Sequence, residues 1–296
     1  MAKIHKIKRR IKSVGKIQQI TKAMERVAAS KMRRAQQAAL RSRSYAISSR
    51  EILAQLFLLT DPSAHPLFDQ RSLKRRLLVV FSSDRGLAGA YNSNLNRFVL
   101  SEVKAAASDK AIPRVIVIGR KGASFCVKLE QSGSIEVIGA YTDWPDEPTA
   151  VTVQPIAQTI IEEFTTKKVD AVSVIFTDFI SSFKQVATVR PLLPVQPEQV
   201  FPDPALISTS LRDALFEPGP VELLAYLVPR LINIELHQTS LEAAASEQSL
   251  RMVAMKNASD NAADLQEALE LTYNGARQSA ITQELAEISA GVEAVR

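Results

Sequence analysis

The 296 residues hold only one cysteine, one tryptophan and three histidines. Cys126 has no partner for an intrachain disulfide, and a lone thiol fits a reducing compartment. His5, His65 and His237 are scattered and have no metal-ligand spacing. There is no G-x-x-x-x-G-K-[ST] loop for a nucleotide phosphate. Apolar runs such as Leu77 to Phe81 fall far short of the ~18–20 residues that cross a bilayer. The stretch from Met1 to Lys12 is basic but has no apolar segment, so no signal peptide is expected. The most informative shortage is proline. All 14 prolines lie between Pro62 and Pro229, and both flanks have none. Because proline breaks helix interiors, the pattern predicts a helix, a compact middle and another helix.

The net charge of +6 hides a segregation. Residues 1–43 carry 14 Lys and Arg against the single acid Glu25, residues 44–208 carry 17 of each sign, and residues 209–296 carry 6 bases and 13 acids. The chain therefore has a basic N-terminal arm and an acidic C-terminal one.

Residues 3–59 read as one helix. Ile4, Ile7, Ile11, Val14, Ile17, Ile20, Met24 and Val27 recur every three or four positions, which predicts a narrow coiled-coil seam. From Ala28 the seam turns alanine-rich (Ala35, Ala38), regains bulk at Ile52, Leu56 and Leu59, and stops at Asp61-Pro62. The middle alternates strand and helix signals. Strands are expected at Leu77–Phe81, Arg114–Ile118, Ile135–Ile138, Ala171–Phe176 and Gln185–Leu193, with helices at Ala90–Ala107, Lys121–Gln131 and Val151–Thr166. Such alternation implies a mainly parallel sheet covered on both faces. A proline-bearing stretch, 197–220, reads as a linker with a short helix near Ser208–Phe216. From Val221 the pattern is helical to the end, with a kink expected at Pro229 and apolar positions at Leu265, Leu269, Tyr273, Ile281, Leu285, Ile288 and Val292.

A helix of about 55 residues is roughly 80 Å long at 1.5 Å per residue, whereas a middle domain of ~120 residues has a radius of gyration of only ~14 Å. Neither arm fits against such a domain along its full length. Their seams can instead face each other as an antiparallel pair, basic against acidic, with outer faces left for a partner or for water.

Ile20-Thr-Lys-Ala-Met-Glu-Arg-Val-Ala-Ala-Ser-Lys-Met32 resembles the N-terminal helix motif of ATP synthase gamma subunits. Arg251-Met-Val-Ala-Met-Lys-Asn-Ala258 and Tyr273-Asn-Gly-Ala-Arg-Gln-Ser-Ala-Ile-Thr-Gln-Glu284, running into Glu287-Ile288, resemble the family's C-terminal motifs, and Gly86-Leu-Ala-Gly-Ala-Tyr-Asn-Ser-Asn94 is similar to a fourth. The chain departs at Ile288-Ser-Ala-Gly-Val292, where the family usually has Ile-Val-x-Gly-Ala, and it lacks the plant-type paired-cysteine insert. The resemblance implies a long antiparallel coiled coil of N- and C-terminal helices with an inserted Rossmann-like α/β domain, its parts expected at residues 1–61, 72–196 and 208–296. It implies a non-catalytic central-stalk rotor without cofactors, at the cytoplasmic face of a bacterial plasma membrane. Its partners would be the alpha and beta subunits of a catalytic hexamer, the epsilon subunit and the c-subunit ring, with membrane contact only through partners. The family's rotor–stator contacts map onto Met24, which would face an acidic lever loop of beta, and onto Arg251, Arg277, Gln278, Thr282, Glu284 and Glu287.

Two other readings are weaker. The basic arm would suit nucleic acid, but residues 1–43 hold no aromatic for stacking, and an apolar seam runs through the cluster. Gly86 and Gly89 after a strand invite a dinucleotide reading, but the full G-x-G-x-x-G is missing and Gly119-Arg-Lys121 stands where an acid would end the second strand. A tight strand-to-helix turn explains that loop. Ser82, Ser83 and Asp84 form no nucleophile–base set with the histidines, and Cys126 reads as a small buried apolar residue.

Overall fold

The computed structural model describes residues 2–59, 65–108, 112–195, 217 and 219–294. The expected short helix near Ser208–Phe216 lies outside them. The elements are α1 (Ala2–Leu59), a 3₁₀ turn (Pro66–Phe68), β1 (Arg76–Phe81), α2 (Tyr91–Ser108), β2 (Arg114–Ile118), α3 (Arg120–Gln131), β3 (Glu136–Tyr141), α4 (Ala150–Thr165), β4 (Ala171–Phe179), β5 (Gln185–Leu193) and α5 (Pro220–Ala294). α1 and α5 pack together, and the α/β segment is inserted between them in the chain. Pro229 lies inside α5, which continues through it.

The strands are ordered β3-β2-β1-β4-β5; all neighbours pair in parallel except β4 and β5, which are antiparallel. Strand alternation sorts the core into two layers. Leu77, Val79 and Phe81 join Ile116, Ile118, Val172, Val174 and Phe176 on one face, under α4, Leu53 and Leu56 of α1, and Leu224 to Leu236 of α5. Leu78 and Val80 join Val115, Val117 and Ile175 on the other, under α2 and α3.

The chain divides into two compact units: residues 1–29 with 251–296, and residues 30–250. Each long helix contributes to both, so these units are cut within the helices and not at their ends. In the second unit α5 meets the sheet through polar as well as apolar side chains. Arg190 of β5 reaches Glu242 at 3.1 Å and Glu235 at 3.8 Å while lying over the Phe176 ring, and Ser249 donates to the Ser182 carbonyl.

Cys126 is buried in the layer beneath α3. Burial, with a smaller contribution from Glu130, pushes its thiol up to about 11. Since the thiolate is the reacting form, the folded chain should resist a maleimide at pH 8 and take up one equivalent only after denaturation. Rapid labelling of the native chain would contradict this packing.

Candidate rotor–stator surface

The first unit is a helix pair whose register can be read from burial. On α1, Val14, Thr21 and Ala28 are buried at seven-residue intervals, and Ile4, Ile11, Gln18 and Glu25 fill the alternate row. On α5, Met255, Ser259 and Ala262 are buried, and Gln266, Leu269, Tyr273, Ala276 and Ala280 continue the same alternation of four and three. Both are heptad seams. Thr21 is accommodated because its hydroxyl bonds back to the carbonyls of Ile17 and Gln18 at 3.0 Å.

Ile4, Ile7, Ile11 and Val14 face the seam as expected, but from Ile17 on the phase differs from the expected one. Ile17, Ile20 and Val27 are not in the seam; they are 53%, 59% and 55% exposed. They sit one position before Gln18, Thr21 and Ala28, which rotates them about 100° around the helix. Small and polar residues occupy the contact, and at Gly15 the absent side chain leaves room for the end of the Gln266 side chain. A Cβ placed on Gly15 would lie 3.3 Å from Oε1 of Gln266.

That contact also fixes the level of the C-terminal turns. In an antiparallel pair, residues at one level have numbers with a constant sum, here about 281. Since the described part of α1 starts at Ala2, α5 has no described α1 residue beside it beyond about position 279. Every residue from Ile281 to Ala290 is indeed exposed. Ile281, Leu285 and Ile288, spaced four and three, form an exposed apolar row that no described residue covers. Exposed apolar stripes of this kind mark interaction surfaces.

The mapped contact residues separate into three groups. Met24 is half-buried at the edge of the α1 seam. Arg277, Gln278, Thr282, Glu284 and Glu287 are exposed along α5, where the Thr282 hydroxyl donates to the Gln278 carbonyl and Glu287 accepts from Gln283, both at 3.0 Å. Arg251 stands apart, only 8% exposed, so it is placed to support the helix pair more than to present a surface. Composition did not reveal the exposed face of Ile17, Ile20 and Val27. The heptad from Val14 through Ala35 carried that signal.

The turn after β1 packs against the start of α3. Leu87 and Gly89 take left-handed φ of 62° and 55°. The amide of Arg120 donates to Asp84, that of Lys121 to the Ser83 carbonyl and that of Gly122 to Oγ of Ser82. The first turn of α3 is thus closed by the chain's own β1–α2 loop. Among the described residues no three His, Cys, Asp or Glu are grouped to hold a metal, and no helix is long and apolar enough to cross a membrane.

A family model described as ATP synthase matches residues 3–295. The chain is 36% identical over 296 residues to the ATP synthase gamma chain of Moorella thermoacetica, each covered completely, and 39% identical over 295 residues to that of Brevibacillus brevis, each covered to 99%. Among solved structures it is similar to a chain of the Tetrahymena thermophila mitochondrial ATP synthase central stalk and c-ring (TM-score 0.60, 26% identity, covering 81% of this chain and 99% of that one). A chain from the Euglena gracilis mitochondrial ATP synthase shares the fold (TM-score 0.67, 19% identity, 99% and 95% covered).

Proposed function

The chain belongs to the ATP synthase gamma-chain family, and from that premise we propose how its surfaces meet the rest of the machine. It is a non-catalytic rotor subunit of the central stalk, part of an assembly with F1 and a c-ring. The helix pair stands inside a ring of alternating alpha and beta subunits, and the α/β segment sits toward epsilon and the c-ring. The assembly lies at the cytoplasmic face of a bacterial plasma membrane, which this chain touches only through partners. Rotation of an asymmetric shaft gives each beta site a different set of contacts in turn. Contacts that differ between conformations shift which conformation each site occupies.

The observation that carries this reading is the row Ile281, Leu285 and Ile288, left uncovered where α5 outruns α1. An apolar stripe in water favours a surrounding partner, and a ring around a single helix covers it at every angle. Arg277, Gln278, Thr282, Glu284 and Glu287 share these turns as the polar contacts of that bearing, while Met24 meets the acidic lever lower on the shaft. The inserted α/β domain is taken as residues 72–196, between an N-terminal arm, 1–61, and a C-terminal arm, 208–296.

The expected stoichiometry is one copy per hexamer of alpha and beta, read by native mass measurement. The purified chain alone should show no ATP turnover. Three copies per hexamer, or stoichiometric turnover by the isolated chain, would overturn the shaft reading.

A further inference from the structure

We propose that the loop between β3 and α4, Thr142–Pro148, is the key that makes the α/β segment and the two long helices turn as one body. The proposal rests on the rotor reading above and concerns only residues within the compact unit 30–250. A rotor that receives torque on its α/β segment must hand it to both helices. A fastening to one helix alone would let the other lag.

The loop is built to be stiff. Its base is held by Asp84, whose carboxylate accepts the amides of Asp143 at 3.0 Å and Trp144 at 2.6 Å as well as that of Arg120. Trp144 packs edge-on to Phe81 of β1, with ring centroids 6.3 Å apart. Pro145 and Pro148 bracket the acidic pair Asp146-Glu147, and each proline fixes its own φ and restricts the residue before it. Asp143 takes a left-handed φ of 59° to start the turn, and Thr149 closes it with a capping box on α4. Loops normally run free over the surface; this one is anchored at both ends and through its middle.

From that base it reaches both helices. Toward α5, the Trp144 indole donates to Oγ of Ser240 at 3.1 Å, and the Pro148 carbonyl lies 3.1 Å from Nε2 of His237. Ser240 and His237 are three residues apart and so share one face. Toward α1, Asp146 meets Lys31 at 2.6 Å and Glu147 meets Arg34 at 3.2 Å, again three apart. The apolar core already binds the sheet to α5 from Leu224 to Ala243 and to the far end of α1 at Leu53 and Leu56, more than 18 residues beyond Arg34. The acidic pair is what ties the loop to the basic α1. Ion pairs this exposed add little to stability, so changing them should leave the segment folded.

The test uses the assembled membrane complex. Reversing Asp146→Lys with Glu147→Lys sets like charges against Lys31 and Arg34. ATP hydrolysis should persist while protons pumped per ATP fall severalfold, and adding Lys31→Glu with Arg34→Glu should restore the ratio. A loop that merely helps folding would lower the yield of complex without changing that ratio. A second variant, Lys31→Cys with Asp146→Cys, is bridged by a short bis-maleimide. Coupled pumping should survive bridging, because parts that turn together lose nothing by being joined. A reversal variant with wild-type pumping per ATP would overturn the proposal, and so would a bridged complex that stops. Failure of the rotor reading itself looks different: the unmodified chain would then be missing from the complex at one copy per hexamer.

Discussion

Gly119→Ala should destabilise the chain by about 3 kcal/mol or more, a large part of the ~5–15 kcal/mol that a native protein holds in reserve. Gly119 ends β2 and precedes α3 with φ 95°. A side chain there costs roughly 1–3 kcal/mol in backbone strain alone. Space adds to the cost. A Cβ at 119 would sit 2.4 Å from the Ser82 carbonyl oxygen and 2.6 Å from its hydroxyl. That hydroxyl donates to the Ile118 carbonyl and accepts the Gly122 amide, so it cannot swing aside without opening both bonds. Overpacking of this kind costs typically ~1–3 kcal/mol more. Gly133→Ala is the matched control, because φ there is 70° but nothing lies within 4 Å of its Cβ. Denaturant unfolding followed by Trp144 fluorescence should show a loss at 119 at least twice that at 133. Equal losses would mean that strain alone governs the site and that the closure of α3 by Ser82 is unimportant.

The contrast between those two glycines shows where sequence reasoning reaches and where it stops. Both follow a strand or helix pattern, and both read as turn residues. Only the fold reveals that one lies against a backbone from 37 residues earlier. The strands and helices themselves were legible, because runs such as Arg114–Ile118 and Gln185–Leu193 are bounded by clear breaks. The helix seam was legible in kind and through Val14, and misread in phase from Ile17 on. Choosing the bulkiest residues led through Ile17, Ile20 and Val27. The heptad from Val14 to Thr21, Ala28 and Ala35 is the one α1 buries. Bulk is a poor guide to that phase, since the buried row follows the seven-residue repeat and not side-chain size. Met24 and the C-terminal contact residues were named from resemblance to a family, since an exposed Arg277 or Gln278 has no physical mark that distinguishes it from any outer helix face. The bonds from Lys31 to Asp146 and from Trp144 to Ser240 join residues 115 and 96 apart, and no local pattern announces them.

Replacing Ile281, Leu285 and Ile288 together with glutamine should leave the isolated chain as stable as before and cripple the assembled enzyme. These side chains are 45%, 60% and 65% exposed, so they add little to the fold. Surface changes of this type usually stay within about 0.5 kcal/mol each. Glutamine also keeps nearly the helix propensity of leucine, so α5 should hold its length by circular dichroism. In the assembly the balance reverses. Full burial of an apolar side chain of this size is worth ~1.5–3 kcal/mol. Three side chains that complete even half of that burial inside a ring contribute on the order of 2–4 kcal/mol, and every 1.4 kcal/mol is tenfold in affinity. The variant should therefore leave the hexamer at least ten times faster, and coupled ATP turnover should fall in step. Full occupancy with wild-type coupled turnover would show that the row beyond the end of α1 is not the bearing. A melting midpoint lowered by several degrees in the isolated chain would show instead that these residues are covered within the chain.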